Sequence, residues 1–227
     1  MNSNALVVTP PAAPDFFLAA RSSQDEVMDD VRVDERDYRQ CLADLAAVNR
    51  VTRTHAPIVE WVSAQVKRLP RRKLVVLDVA FGQGDLLREL AAWAREHEVE
   101  LELHGVDLNP RSAVNARAAT PAELDITFHT ADVFAFSPVV QPDLIVSSQF
   151  THHLEERDVV RFLRWLERTA KHAWFIADLE RNAFAFHGFP LLCAVAGGTP
   201  SSSAMGRCRL RARSVVRSGV CWSRTRE

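Results

Sequence analysis

Three aspartates and a histidine pair are the residues of this sequence best suited to chemistry. Asp78 closes a short apolar run, Leu74–Leu77, and Gly82 and Gly84 follow it. Asp107 closes a second run, Asp132 follows a third, and His152 and His153 follow a fourth. A carboxylate at the end of the second strand of a βαβ unit can accept both hydroxyls of a ribose. Glycines let the backbone approach a ligand closely and take φ values that a Cβ resists. A helix that starts just after them presents unpaired N–H groups to that ligand. Imidazole, with an ordinary pKa of about 6.5, is the side chain best matched to proton transfer near neutral pH. These residue types point to a nucleotide-type cofactor, with a histidine loop facing it.

The elements that must position them follow from periodicity. Leu74–Leu77 is continuous, apolar and rich in β-branched residues, as in a strand buried on both faces. Leu86, Leu87, Leu90, Ala91 and Ala94 then recur at helical spacing. The unit is strand, tight glycine turn, helix. A dinucleotide fold wants a third glycine three residues after the second, and Leu87 stands there. The second strand spans Leu101–Val106, and its terminal Asp107 lies close to the ~20 residues beyond the glycines that a ribose acid requires. A short helix over 111–118 begins after Pro110. Further strands are predicted at Ile126–Thr130, Asp143–Ser147 and Ala173–Ala177. A helix over 155–170 turns Val159, Phe162, Leu163 and Leu166 inward. This alternation predicts an α/β fold, a Rossmann-like, doubly wound and mostly parallel sheet.

Two helices precede the first strand. One spans 37–54 with Tyr38, Leu42, Leu45 and Val48 along one side; the other spans 57–68 with Ile58, Trp61, Val62 and Val66 inward. They either roof the ligand crevice or cover a sheet face. Residues 1–23 are rich in Pro, Ala and Ser and are expected to be poorly ordered, and 24–36 form an acidic, helical stretch. Each candidate also has a plainer role. The glycine turn suits any βα unit, Asp107 can cap a helix, and Asp132 can close a turn.

The 227 residues suffice for one domain with a sizeable core. A net charge of −1 implies no polyanionic partner for the chain as a whole. Cys41, Cys193, Cys208 and Cys221 show no metal-like spacing and fit a reduced, cytoplasmic setting. No apolar run is long enough for a membrane span, and the proline-broken N-terminus does not resemble a signal peptide.

The ordered series Asp78/Gly82/Gly84, Asp107, Asp132 and His152-His153-Leu154 resembles the small-molecule branch of class I S-adenosylmethionine (SAM)-dependent methyltransferases. It is most similar to enzymes of quinone biosynthesis and polyketide tailoring. In that family's first motif an acid precedes three alternating small residues. Here those are Ala80, Gly82 and Gly84, with alanine in place of the first glycine. The resemblance implies SAM as cofactor. It implies that Asp78, Ala80, Phe81, Gly82, Gly84, Asp107, Leu108, Asp132, Val133 and Ser148 form its site, with Asp107 at the ribose and Asp132 at the adenine amino group. It implies a small, apolar or aromatic acceptor, methylated on oxygen rather than carbon, with His152 or His153 as base. Phe150, Phe184, Phe186 and Phe189 either line the acceptor pocket or belong to the core. Asp178 and Glu180 are too few for a metal, and none is expected.

The methyltransferase domain is expected over 24–198, with a helical cap at 24–69 and an atypical Arg/Ser-rich tail at 199–227. The tail carries seven arginines against one acid and no alternating run of useful length. It does not resemble the helix and hairpin that complete this fold, and a reading-frame change would produce such a composition. It is expected to leave the sheet's far edge unpaired. The rival readings are an RNA or protein methyltransferase using the tail, and an inactive SAM-binding module. An NAD oxidoreductase ranks below both. DNA amino methylation is disfavoured, because Ser147-Ser148-Gln149-Phe150 stands where those enzymes carry an Asn/Asp-Pro-Pro-aromatic run.

Overall fold

The computed structural model describes residues 34–69, 73–178 and 222–225, the last by backbone alone. Helix α1 (Glu35–Thr52) starts at Asp34, whose side chain accepts the Arg36 N–H, and buries Tyr38, Cys41, Leu42 and Val48. Helix α2 (Ala56–Arg68) carries Pro57 in its first turn, where no N–H is missed, and buries Ile58 and Val62. Strand β1 (Lys73–Val79) leads through the glycine turn into α3 (Asp85–Glu96). Strand β2 (Glu100–Asp107) leads into α4 (Pro110–Ala119), capped by the Asn109 side chain. Strands β3 (Ile126–Thr130) and β4 (Leu144–Ser148) follow, then a single 3-10 turn, Thr151–His153. Helix α5 (Glu156–Thr169) and β5 (Ala173–Ala177) complete the parallel part.

The sheet order is β3-β2-β1-β4-β5-β6, with β1 to β5 all parallel. The order in which strands are added reverses between β1 and β4, which opens a crevice at their carboxyl ends. One face packs Ile58, Val62, Leu86, Leu87 and Leu90 against Val76, Leu103, Val146 and Phe175. The other packs Phe162, Trp165 and Leu166 against Leu77, Val79, Ile145 and Ile176. Central strands covered on both sides have no polar face to show, hence their unbroken apolar runs.

The sequence expectations hold for every strand and helix from α1 to β5, within a residue or two at the ends; the acidic helix expected over 24–36 lies mostly outside the described residues. The far edge is a correction. Strand β6 (Trp222–Thr225) pairs antiparallel with β5, so that edge is covered by four residues of the tail. Residues 1–33, including the expected N-terminal segment, and Phe184, Phe186, Phe189 and Glu180 lie outside the described residues.

Candidate functional site

The crevice is a cleft that opens to solvent, with a cavity volume of about 80 Å³. Its floor is Asp78, Ala80, Phe81, Gly82 and Gln83 from the glycine turn; Ser148 and Gln149 close the β4 side; Leu42, Leu45, Ala46 and Asn49 of α1 roof it. The two helices therefore divide the roles left open by the sequence. Helix α1 roofs the cleft, and α2 covers a sheet face, with Trp61 against Phe175 at 5.1 Å. A second cavity, of about 50 Å³, is lined by residues that include Val75, Leu77, His104 and His129, and holds none of the candidate residues.

The turn has the backbone that close ligand approach needs. Ala80, Gly82 and Gly84 all have positive φ, at +62°, +55° and +74°. A Cβ on Gly84 would come within 2.8 Å of the Phe128 ring. Ala80 does carry a Cβ in the left-handed region, a strain of about 1–2 kcal/mol. Its N–H donates to Val106 O at 2.8 Å, which fixes the turn to β2. The Gly82 N–H donates to Asp107 Oδ2 at 3.0 Å, and the Asn109 N–H to Asp107 Oδ1 at 2.8 Å.

Charge in the cleft is unbalanced. Asp78 is 2% exposed, and its Oδ1 is buried without a hydrogen-bond partner among the described residues. Burial lifts its carboxyl well above the ordinary carboxylate range, and the neighbouring Asp85 and Asp107 add to that. Burial also raises Asp107, against the pull of the Asn109 and Gly82 N–H groups, the Ser112 hydroxyl and nearby His153. Asp85 goes the other way. Burial works against its ionisation, but bonds from His55 and Asn49 more than offset it and hold the carboxyl below its usual value. His55 Nε2 lies 2.9 Å from Asp85 Oδ2, and Asn49 Nδ2 donates to the same oxygen at 2.9 Å. Gln149 Nε2 donates to Asn49 Oδ1 at 3.1 Å, and Ser148 Oγ lies 3.4 Å from His55 Nδ1. This network ties α1 to both banks of the cleft. A buried acid beside two others is a site shaped for a cation.

The histidine loop divides its labour. His152 is buried, with Nδ1 2.6 Å from Asp178 Oδ1 and its backbone N–H donating to Asp178 Oδ2 at 3.0 Å. Thr151 Oγ1 donates to the same carboxylate. Asp178 thus anchors the loop to the end of β5. His153 is half-buried, stacks near His152, and is close enough to Asp107 to favour its ionised form.

Of the residues singled out from sequence, Asp78, Ala80, Phe81, Gly82 and Ser148 meet in the cleft. Gly84 caps α3, and Asp107 is bonded to the turn. Phe81 turns its ring into the core against Phe128, at 4.9 Å, and offers the cleft its backbone. Asp132 is exposed and accepts the Phe134 N–H; the neighbouring Ala131 N–H donates to Asp107 O at 3.0 Å. Leu108 is 72% exposed and Val133 is buried in the rear core; neither lines the cleft. Phe150 packs edge-on against Phe162 at 5.1 Å, in that same core. No metal-holding group of His, Cys, Asp or Glu occurs among the described residues. Sequence reasoning passed over Asn49, His55 and Asp85. Asn49 lies one helical turn beyond Leu45, on the stripe already marked, and was the detectable signal.

Residues 76–173 match a family described as a methyltransferase domain. No curated protein matches the chain. Among solved structures, the chain is similar to the plantazolicin methyltransferase BpumL in complex with SAH, at 14% identity over 80% of this chain and 71% of that one, with a TM-score of 0.55. Its similarity to the plantazolicin methyltransferase BamL, in complex with a triazolic desmethylPZN analog and SAH, has 14% identity, 80% and 70% coverage and a TM-score of 0.54. The magnesium protoporphyrin IX methyltransferase ChlM of Synechocystis PCC 6803 with bound SAM matches at 20% identity over 56% of this chain, with a TM-score of 0.47. This chain spans 58% of the ChlM chain and 61% of BpumL in complex with a triazolic analog. The BpumL and BamL likenesses show the doubly wound fold that these enzymes share.

Proposed function

We propose that the chain, whose residues 76–173 match a methyltransferase domain, is a class I SAM-dependent methyltransferase that binds SAM in the α1-roofed cleft and methylates a small, apolar or aromatic acceptor. The observation that carries this reading is the partnerless Oδ1 of Asp78, buried beside Asp85 and Asp107 in that cleft. An uncompensated buried carboxylate is costly unless a cation completes it. The residues present fit the cofactor: the Asp78 carboxylate faces a cationic amino-acid end, the turn N–H groups flank it, and Asp107 suits ribose hydroxyls.

SAM supplies, when bound, a methyl group already activated by a sulfonium. What is left to the protein is orientation and the exclusion of water. Positioning of this kind lowers a barrier by up to ~7–11 kcal/mol in ideal cases. Leu42, Leu45 and Ala46 keep water from above, while the Asn49 and His55 bonds hold α1 in place. His153 is the histidine of the loop suited to take an acceptor proton, since His152 is bound to Asp178 and holds the loop. A base of this kind contributes ~10²–10⁴-fold and suits a phenol or enol, which puts oxygen ahead of carbon as the acceptor atom.

Calorimetric titration with S-adenosylhomocysteine tests the reading. Micromolar binding that Asp107→Ala weakens by about tenfold, or ~1.4 kcal/mol, is the expected result. Absence of binding by folded protein overturns it.

A further inference from the structure

The cleft holds an imidazole that does not come from the histidine loop. His55, in the turn between α1 and α2, is 4% exposed and is the one histidine among the described residues that line the cleft. Its Nε2 lies 2.9 Å from Asp85 Oδ2, and its Nδ1 lies 3.4 Å from Ser148 Oγ. Asp85 is held below its usual carboxylate value, so it is ionised at neutral pH. A carboxylate only accepts, so the hydrogen between the two sits on Nε2. In the neutral ring Nδ1 is then the acceptor, and the Ser148 hydroxyl donates to it. The Asn49 amide donates to the same Asp85 oxygen at 2.9 Å, and Gln149 donates to Asn49 at 3.1 Å. Hydroxyl, imidazole and carboxylate thus run in one line from β4, through the α1–α2 turn, to the start of α3. The sheet order β2-β1-β4 sets Asp107 and Asp78 on two neighbouring strands and Ser148 at the end of the next. A cofactor held by those two acids leaves the β4 side of the cleft to the acceptor. Neither loop histidine lines the cleft: His152 is bound to Asp178, and His153 stands near Asp107.

We propose that Ser148, His55 and Asp85 form a proton relay for a phenol or enol acceptor, in which Ser148 takes the acceptor's proton and hands its own to His55 Nδ1. The inference rests on the SAM reading of this cleft. The acceptor O–H bond breaks and a new O–H bond forms on Ser148 Oγ, while the former Ser148 proton bonds to Nδ1. Ser148 ends as it began. The ring ends as an imidazolium, whose charge meets the Asp85 carboxylate through Nε2–H. The acceptor is left as an oxyanion, the form that attacks a methyl group. Ser148 touches the acceptor and is the catalytic residue; His55 and Asp85 act through it. A histidine buried only to join α1 to α3 needs one partner. Here both ring nitrogens are engaged, and one faces a hydroxyl that lines the cleft.

The test reads the ionisation of a coloured phenol. The full chain is saturated with S-adenosylhomocysteine, as followed by calorimetry, and 4-nitrophenol is added at a pH below its own pKa. The bound probe is expected to show its phenolate absorption band. Ser148→Ala and His55→Gln are each expected to lower the ionisation constant of the bound probe about tenfold, the effect of one hydrogen bond to a charged group. Ser148→Thr keeps the hydroxyl and is expected to restore it to within about twofold of the parent. A parent that binds S-adenosylhomocysteine but gives no phenolate band overturns the relay and leaves the cofactor reading standing. So does a band that Ser148→Ala leaves unchanged. A parent that does not bind S-adenosylhomocysteine removes both readings. Nitrogen-15 spectra of the unsubstituted chain, with His55 assigned through its backbone, decide the matter even if a variant fails to fold. The Nε2–H tautomer is expected, and an Nδ1–H tautomer overturns the relay.

Discussion

At Asp78 binding and stability are opposed. Its folded carboxyl titrates above the unfolded value, because burial disfavours the charge. The stability it contributes is therefore complete below the unfolded pKa and is lost as pH rises through the folded one. Asp78→Asn removes that loss. In the unliganded protein it is expected to raise Tm near neutral pH, at about 2–4 °C per kcal/mol for a chain of this size. The same substitution is expected to weaken S-adenosylhomocysteine at least tenfold, since the ligand's ammonium favours the ionised acid. In the parent, binding then releases a proton and tightens as pH rises through the unliganded pKa. Calorimetry in buffers of different ionisation enthalpy reads that proton directly, and a parent whose binding heat does not change with buffer contradicts the assignment. Ala80 offers a second residue-scale expectation. Ala80→Gly relieves a left-handed φ of +62° and is expected to stabilise by about 0.5–1 kcal/mol in urea unfolding, the relief exceeding the added chain entropy.

At the scale of elements, the His55–Asp85 pair decides whether α1 stays over the cleft. Asp85 is held below its ordinary carboxylate value, so its contribution is present above the unfolded pKa and fades as pH falls through the folded one. Asp85→Asn is expected to cost about 1.5–3 kcal/mol at neutral pH, the range for hydrogen bonds to a charged group, and to flatten the acid limb of the stability profile. Chemical unfolding followed at several pH values checks both. A loss that stays constant down to strongly acidic pH rules out the charge of the Asp85 carboxylate as its origin. This network was the part of the site least legible in sequence. Asp85 reads as an ordinary first-turn acid that complements a helix N-terminus. His55 sits in a turn between two helices, where nothing periodic marks it. The pair forms only because α2 packs on the same sheet face as α3, which is a tertiary fact. By contrast, Gly84 and Asp107 were legible because their roles are local: a turn of fixed hand, and a strand end about 20 residues further on. The inward face of α5 was read with Leu163 where Trp165 is the more deeply buried residue; long aromatic side chains reach the core from positions a strict stripe leaves out.

At the scale of the molecule, the sheet ends in a strand whose side-chain pattern gave no warning. Trp222–Thr225 is too short for alternation to register, yet it covers the edge of β5, all five of whose residues are buried. Removing residues 222–227 bares that edge. The truncated chain is expected to melt earlier and to self-associate, as exposed edge strands do, which light scattering on heating would detect. A truncated chain that remains monodisperse on heating would mean that β6 contributes little.

The parallel pairing has a further consequence, for the order in which the chain can acquire its site. Strand β1 pairs with β4 at Val76 with Leu144 and Val79 with Ser147, and the Gln149–Asn49 bond closes a loop of about one hundred residues. Such non-local closures slow folding, because chain entropy is lost before contacts repay it. The glycine turn can form early, as soon as β1 and α3 meet. The cleft cannot, because its far bank arrives only with Ser148 and Gln149. During synthesis, then, this protein carries a complete cofactor motif well before it has anywhere to put the cofactor.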